Sequence, residues 1–191
     1  MLQKDRQLQE IFPKGSIFTT FRRLPSLQNI LAPTNILKRM LPPEDKNCGY
    51  HPSGDNCSLC KQSSFGNSFT SPALPRWKFK IQKQLDCRTK NVIYCIKCTT
   101  CNLAYVGKSK EVKKRWANHK SHATHRRTTC ELANHMISGH PGENPDQHLT
   151  IMLLDSAIST DELDRLESSW MYRLATFHPY GLNKKLQQPA A

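Results

Sequence analysis

The stretch 91-NVIYCIKCTTCNLAYVGKS-109 decides the reading of the fold. Two runs rich in β-branched and aromatic residues, NVIYCI and LAYV, flank Cys98-Thr99-Thr100-Cys101. Such runs on either side of a short polar interval read as a β-hairpin. The interval itself is poor turn chemistry. The central residues of a two-residue hairpin loop need positive φ, which Asn-Gly or Gly-X supplies and β-branched threonine resists. A metal ion gripping the cysteines on both sides would hold the reversal instead. With the reversal at Thr99-Thr100 and a symmetric register, Tyr94 and Tyr105 stand directly opposite each other. Cross-strand aromatic pairs are ordinary sheet stabilisers worth about 0.2–1 kcal/mol, so packing alone would explain them.

Outward from the hairpin, the pattern is that of an α+β unit, a three-stranded sheet flanked by helices, over 91–191. Ser109 is expected to cap a helix over about 110–123, with Glu111 near the positive end of its dipole. CELANHMIS predicts a second helix that stops at Gly139, and HLTIMLL (148–154) a third strand. Ser159-Thr160-Asp161-Glu162 matches a capping box. It opens a helix to about 176 whose buried stripe is Leu163, Leu166, Trp170 and Leu174. Upstream, in RWKFKIQKQLDC, Trp77, Phe79 and Ile81 share one face opposite Lys78 and Lys80, a strand pattern. Residues 46–90 read as a Cys-rich zinc-binding appendage. Residues 1–45, with Pro13, Pro25, Pro33, Pro42 and Pro43, read as a basic, partly disordered linker or adaptor, in which FRRLPSLQNIL (21–31) is either a docking segment or a tail.

The 191 residues carry a formal net charge of +13, which favours a polyanionic partner, nucleic acid being the commonest. A ribosomal-type or merely soluble basic protein is the alternative. No apolar run reaches the length of a membrane span, and MLQKDRQLQE lacks the apolar core of a secretory signal. Eight cysteines in an unexported chain point to metal ligation rather than disulfides; a secreted disulfide protein is the contrary reading. Cys57-x-x-Cys60 is a knuckle spacing for one tetrahedral ion, with Cys48 and Cys87 completing four thiolates. Ordinary buried thiols, or His51 as a ligand, are the alternatives there. Cys98-x-x-Cys101 with His135 and His140 forms a second set. Cys95 and Cys130 read as buried thiols, and His51, His125, His148 and His178 receive no role.

Beyond Gly107 the first helix carries Arg115 and His119 at i and i+4 on one face, while Val112 and Trp116 supply its core contact. A guanidinium and an imidazole held beside the hairpin suit phosphate binding and proton transfer. A solvated basic face has the same spacing. Glu167 lies along or beside the Leu163–Trp170–Leu174 stripe. A half-buried carboxylate there needs a partner, either a hard cation such as Mg2+ or a nearby arginine.

Val92-Ile93-Tyr94 followed by Tyr105-Val106-Gly107 resembles the paired motif of GIY-YIG endonucleases, and Arg115, His119, Glu167 and Asn183 (in PYGLN) resemble the rest of that family's set, in order. More narrowly, the CxxC between the tyrosines, the NHMISGH segment and the pattern Cys48, Cys57-x-x-Cys60, Cys87 resemble the endonuclease domain of Penelope-like retroelements, continuously from about 46 to 185. Val92 stands where the first motif has Gly, and Val106 where the second has Ile. The resemblance implies a nuclear DNA endonuclease that nicks by phosphodiester hydrolysis for retroelement insertion, with reverse transcriptase and element RNA as further partners and no membrane. It implies Tyr94 as general base, Tyr105 and His119 as positioning or relay groups, Arg115 as phosphate clamp, Asn183 as an orienting group and Glu167 as ligand of a catalytic Mg2+ or Mn2+. Zn2+ would be structural, at one or both Cys sets. Lys108, Lys110, Lys113, Lys114 and Lys120 are expected on the DNA backbone. The competing reading is a non-catalytic zinc-containing nucleic-acid-binding module, or an inactive retroelement remnant.

Overall fold

The computed structural model describes residues 47–54 and 56–184, so the expectations for 1–45 lie outside the described residues. In chain order the strands are β1 (Gly49–Tyr50), β2 (Ser68–Thr70), β3 (Lys78–Lys80), β4 (Gln84–Leu85), β5 (Lys90–Cys98), β6 (Leu103–Glu111) and β7 (Leu149–Ser156). The helices are α1 (Val112–Thr124), α2 (Glu131–Gly139), α3 (Pro145–His148) and α4 (Thr160–Arg173). The expected α+β architecture is found, with a three-stranded antiparallel sheet in the order β6-β5-β7. β5 is the middle strand. Val92, Ile93, Tyr94, Cys95 and Ile96 are all buried, which is why NVIYCI is apolar without alternation: both faces of the strand are covered.

The hairpin register differs from the symmetric expectation. Cys98 pairs with Leu103, Tyr94 with Gly107, and Ile96 with Tyr105. The loop therefore has four residues, Thr99 to Asn102, and the positive φ falls on Asn102 at 54°. Asparagine tolerates the left-handed region that threonine avoids, so the chain displaces the reversal toward it. A shift of two residues preserves the face on which each side chain lies. Tyr94 and Tyr105 remain on one face, as diagonal neighbours rather than an opposed pair. On the other side of β5 the ladder with β7 is irregular between Ile93, which pairs with Asp155, and Tyr94, which pairs with Leu153, leaving Leu154 as the extra residue at the level of Tyr94.

β6 runs to Glu111, so Ser109 is still in the strand and Glu111 precedes α1 without a side-chain cap; the Ser109 hydroxyl accepts from the Glu111 amide at 3.1 Å. α4 has the expected cap: Ser159 accepts from the Glu162 amide at 3.2 Å, and the Glu162 carboxylate accepts from the Ile158 amide at 2.8 Å. The helix ends at Arg173, because Ala175 turns to a φ of 52°. Leu163, Trp170 and Leu174 are buried as the stripe requires. Upstream, β1 pairs parallel with β4 and β2 antiparallel with β3. Phe79 and Ile81 turn inward, whereas Trp77 is 66% exposed. Tyr50, Leu59 and Leu85 belong to the same hydrophobic cluster as Ile96, Ile151 and Leu153, so the segment before the hairpin packs on the sheet. No helix among the described residues is long and apolar enough to cross a membrane.

Candidate active site and metal clusters

β5 and α1 bring Tyr94, Arg115 and His119 together. The Tyr94 hydroxyl lies 2.8 Å from His119 Nε2, and Arg115 Nε donates to it at 3.2 Å. A guanidinium N–H can only donate, so the phenol oxygen accepts from Arg115. His119 Nε2 is then the acceptor in reach of the phenol's own proton among the described residues, which places the imidazole proton on Nδ1. That nitrogen faces the Cys130 sulfur at 3.7 Å. Burial, with the charges of Arg115 and His122, pushes His119 down to about 3, so the ring is neutral near pH 7. Burial likewise drives both phenols, Tyr94 and Tyr105, above their ordinary range, and Arg115 only partly offsets it. Cys130, expected as an ordinary buried thiol, thus sits against the ring that Tyr94 addresses. No spacing in the sequence links Cys130 to His119.

Gly107 has a steric reason to be glycine. A Cβ there would stand 2.6 Å from the Tyr94 hydroxyl oxygen and 2.9 Å from Tyr105 Cε1. Tyr105 is half-buried and meets the His119 ring edge-on, with centroids 5.7 Å apart. Glu167, on α4, is half-buried, and its charge is among those that raise both tyrosines. Among the described residues its partner is a lysine and not an arginine: Lys108 Nζ lies 2.9 Å from its carboxylate and 2.7 Å from that of Asp164. Asn183 is buried. Its side chain accepts from the Val106 amide at 2.9 Å and donates to the Val106 carbonyl at 2.8 Å, clamping the free edge of β6 between Tyr105 and Gly107.

The lysines expected on DNA divide by their partners. Lys108 is held by two carboxylates, Lys114 by Glu111 at 2.7 Å and Lys120 by Asp146 at 3.0 Å. Lys110 and Lys113 have no ion pair among the described residues.

The ligand atoms of Cys98, Cys101, His135 and His140 all lie within 4.8 Å of one another. His140 Nε2 is 3.4 Å from Cys98 Sγ and 3.2 Å from Cys101 Sγ, while His135 Nε2 is buried with no hydrogen-bond partner. Two thiols and two imidazoles converging on one point, one nitrogen orphaned, fit a tetrahedral zinc ion. In the upstream set Cys57, Cys60 and Cys87 converge within the same limit. Cys48 does not join them. Its thiol donates to the Gln82 carbonyl at 3.0 Å, because the Gly49 amide bonds to the Lys83 carbonyl and lays this end of β1 along the 82–83 backbone. His51 is also turned away, its Nε2 lying 2.9 Å from the Asn47 carbonyl oxygen. Burial raises the Cys87 thiol, whereas hydrogen bonds from Ser53 and the neighbouring cysteines outweigh burial at Cys57 and lower it.

Residues 90–177 match the family model of the GIY-YIG catalytic domain. Among solved structures, the catalytic domain of homing endonuclease I-TevI is similar at 24% identity, covering 49% of this chain and 97% of that chain with a TM-score of 0.41. A mutant of the catalytic domain of intron endonuclease I-TevI is similar at 24% identity, covering 50% of this chain and 93% of that chain with a TM-score of 0.42. No curated protein matches the chain.

Proposed function

We propose that this chain is a GIY-YIG-type DNA endonuclease that nicks one strand by phosphodiester hydrolysis. The observation that carries the reading is the directional chain Arg115–Tyr94–His119, with the Glu167 carboxylate near enough for its charge to act on Tyr94. Glu167, with Asp164 one helical turn before it, fits the way Mg2+ or Mn2+ is bound, through one or two carboxylates plus substrate phosphate oxygens. Such a cation, when bound, neutralises charge on the phosphate oxygens. The remaining chemistry belongs to the chain's own groups. Tyr94 takes a proton from the attacking water as its own proton passes to His119 Nε2. A bond forms from the water oxygen to phosphorus, and the phosphorus–3′-oxygen bond breaks, leaving a 3′-hydroxyl once that oxygen is protonated. The relay matters because a phenol raised by burial is not a phenolate at neutral pH. Arg115 donates its Nε–H to Tyr94 and also interacts with Tyr105, and its guanidinium would clamp the phosphate. Asn183 acts as a positioning residue, holding Tyr105 and Gly107 through Val106.

Zinc would be structural at Cys98, Cys101, His135 and His140, with a second ion at Cys57, Cys60 and Cys87. The biological setting that the CxxC and NHMISGH segments favour is insertion of a Penelope-like retroelement in the nucleus, where a nicked 3′-hydroxyl primes a reverse transcriptase on element RNA. One observation favours a second reading, a zinc-bearing nucleic-acid binder without catalysis: Lys108 occupies the Glu167 carboxylate. Supercoiled plasmid separates the two. The enzyme converts it to the nicked form with Mg2+ or Mn2+ and stops in EDTA. A binder retards the plasmid and leaves it supercoiled under every condition.

A further inference from the structure

We propose that Glu143 and His148 form the outer shell of the Cys98–Cys101–His135–His140 site, fixing the tautomer of His140 and tying it to the CTTC turn. This rests on the zinc reading above. The Glu143 carboxylate lies 3.2 Å from His140 Nδ1 and 2.6 Å from His148 Nε2. A carboxylate accepts only, so both imidazoles turn an N–H toward it. With its proton on Nδ1, His140 carries its lone pair on Nε2, the atom that faces both cysteine sulfurs. With its proton on Nε2, His148 has an acceptor at Nδ1, and the Thr100 hydroxyl donates to it at 2.8 Å. The directions run without conflict from the turn hydroxyl through His148 and Glu143 to the metal-facing nitrogen. The two rings stack, with centroids 4.5 Å apart and planes inclined by 27°.

The backbone closes the same circuit. The Thr99 amide donates to the His148 carbonyl at 2.8 Å, and the Thr99 hydroxyl to the same oxygen at 3.1 Å. The turn that joins Cys98 to Cys101 is thereby bonded to the residue that Glu143 holds. A ligand imidazole whose second N–H is held by a carboxylate is oriented before the ion arrives and is more basic at the ligating nitrogen. Glu143 is a positioning residue: it does not touch the ion, and it acts through His140.

The test uses the full chain and Zn2+ in competition with a chromophoric chelator, with Co2+ absorption reporting the tetrahedral two-sulfur, two-nitrogen set. Cys98→Ala identifies the signal that belongs to this site. We expect Glu143→Ala to weaken Zn2+ binding there by about 10–100-fold. Glu143→Gln, which keeps the shape and one acceptor, is expected to fall between it and the unaltered protein, with the Co2+ spectrum retained. Affinity in Glu143→Ala within about threefold of the unaltered chain, well short of that range, would overturn the proposal while the zinc site stands. Absence of any Zn2+ or Co2+ signal that Cys98→Ala removes would overturn the zinc reading, and the outer shell with it.

Discussion

The two ends of the β5–β6 hairpin are built on different physics. At the turn, Cys98 and Cys101 meet His135 and His140 in a converging set of four ligands, two from the hairpin and two from α2 and its C-cap. At the open end, Tyr94 and Gly107 face α1, and the interactions are directional hydrogen bonds among groups whose protonation states matter. The first arrangement secures geometry. The second joins a guanidinium, a phenol and an imidazole in a buried place, where an unpaired donor or acceptor is costly. Changes at the turn should therefore appear first as lost stability, and changes at the open end as lost turnover in a protein that still folds and binds.

The largest expected effects lie at the open end. Arg115→Ala removes the donor to Tyr94 and the proposed phosphate clamp, and should lower the single-turnover nicking rate by about 10²–10³-fold with DNA binding reduced far less. A nicking rate that follows DNA occupancy alone would break the contrast. At the turn, Cys98→Ala should lower the thermal midpoint and remove the share of metal-dependent stabilisation that belongs to this site, because binding to the folded state alone adds stability by mass action. Its nicking, measured well below that midpoint, should remain closer to the unaltered level than that of Arg115→Ala.

Gly107→Ala tests packing at the open end, since the strand must approach Tyr94 more closely than a Cβ allows. It should destabilise by about 1–3 kcal/mol in denaturant unfolding, the usual cost of overpacking, and lower nicking as the Tyr94 ring shifts. Smaller again is the pH effect. His119 is depressed to about 3 from 6.5, so its accepting form is present above that lower value and is lost only as pH falls through it. The nicking rate should then show no acid limb near the ordinary histidine value, across about pH 5 to 8; a limb near 6.5 would mean that His119 is solvated and titrates normally. The smallest effect is in salt dependence. Lys110→Ala and Lys113→Ala should each reduce the slope of log affinity against log salt by about 0.9, and Lys108→Ala by less, because two carboxylates already neutralise Lys108.

How much of this was legible differs between the two ends as well. The three strands of the main sheet, helices α1, α2 and α4, and the grouping of the turn cysteines with two histidines follow from local pattern: β-rich runs, a capping box, and CxxC with two histidines at the end of a helix; β1, β2, β4 and α3 carry no such pattern. The register was misread. It depends on which loop residue takes positive φ, and Asn102, which tolerates that region better than the threonines, lies outside the two-residue loop that the symmetric reading assumed. The fourth upstream thiol was misplaced because Cys48 lies beside β1, whose parallel pairing with β4 is a long-range contact that spacing does not encode. Glu143 and His148 were invisible for the same reason: a loop carboxylate and a lone histidine acquire meaning only when the turn folds against them. The open end was legible as a set of residues in order. Their hydrogen-bond directions, and the hold of Lys108 on Glu167, required the side chains in place.

The most direct test of the central claim is single-turnover nicking of supercoiled plasmid in Mg2+ by the unaltered chain, Tyr94→Phe and Glu167→Ala, compared at equal DNA occupancy. The proton path from water through Tyr94 to His119 predicts metal-dependent nicking by the unaltered chain, a fall of about 10²–10⁴-fold in Tyr94→Phe, and no detectable nicking in Glu167→Ala. Nicking by either variant at the unaltered rate, or no nicking by the unaltered chain while it binds the plasmid, would contradict it.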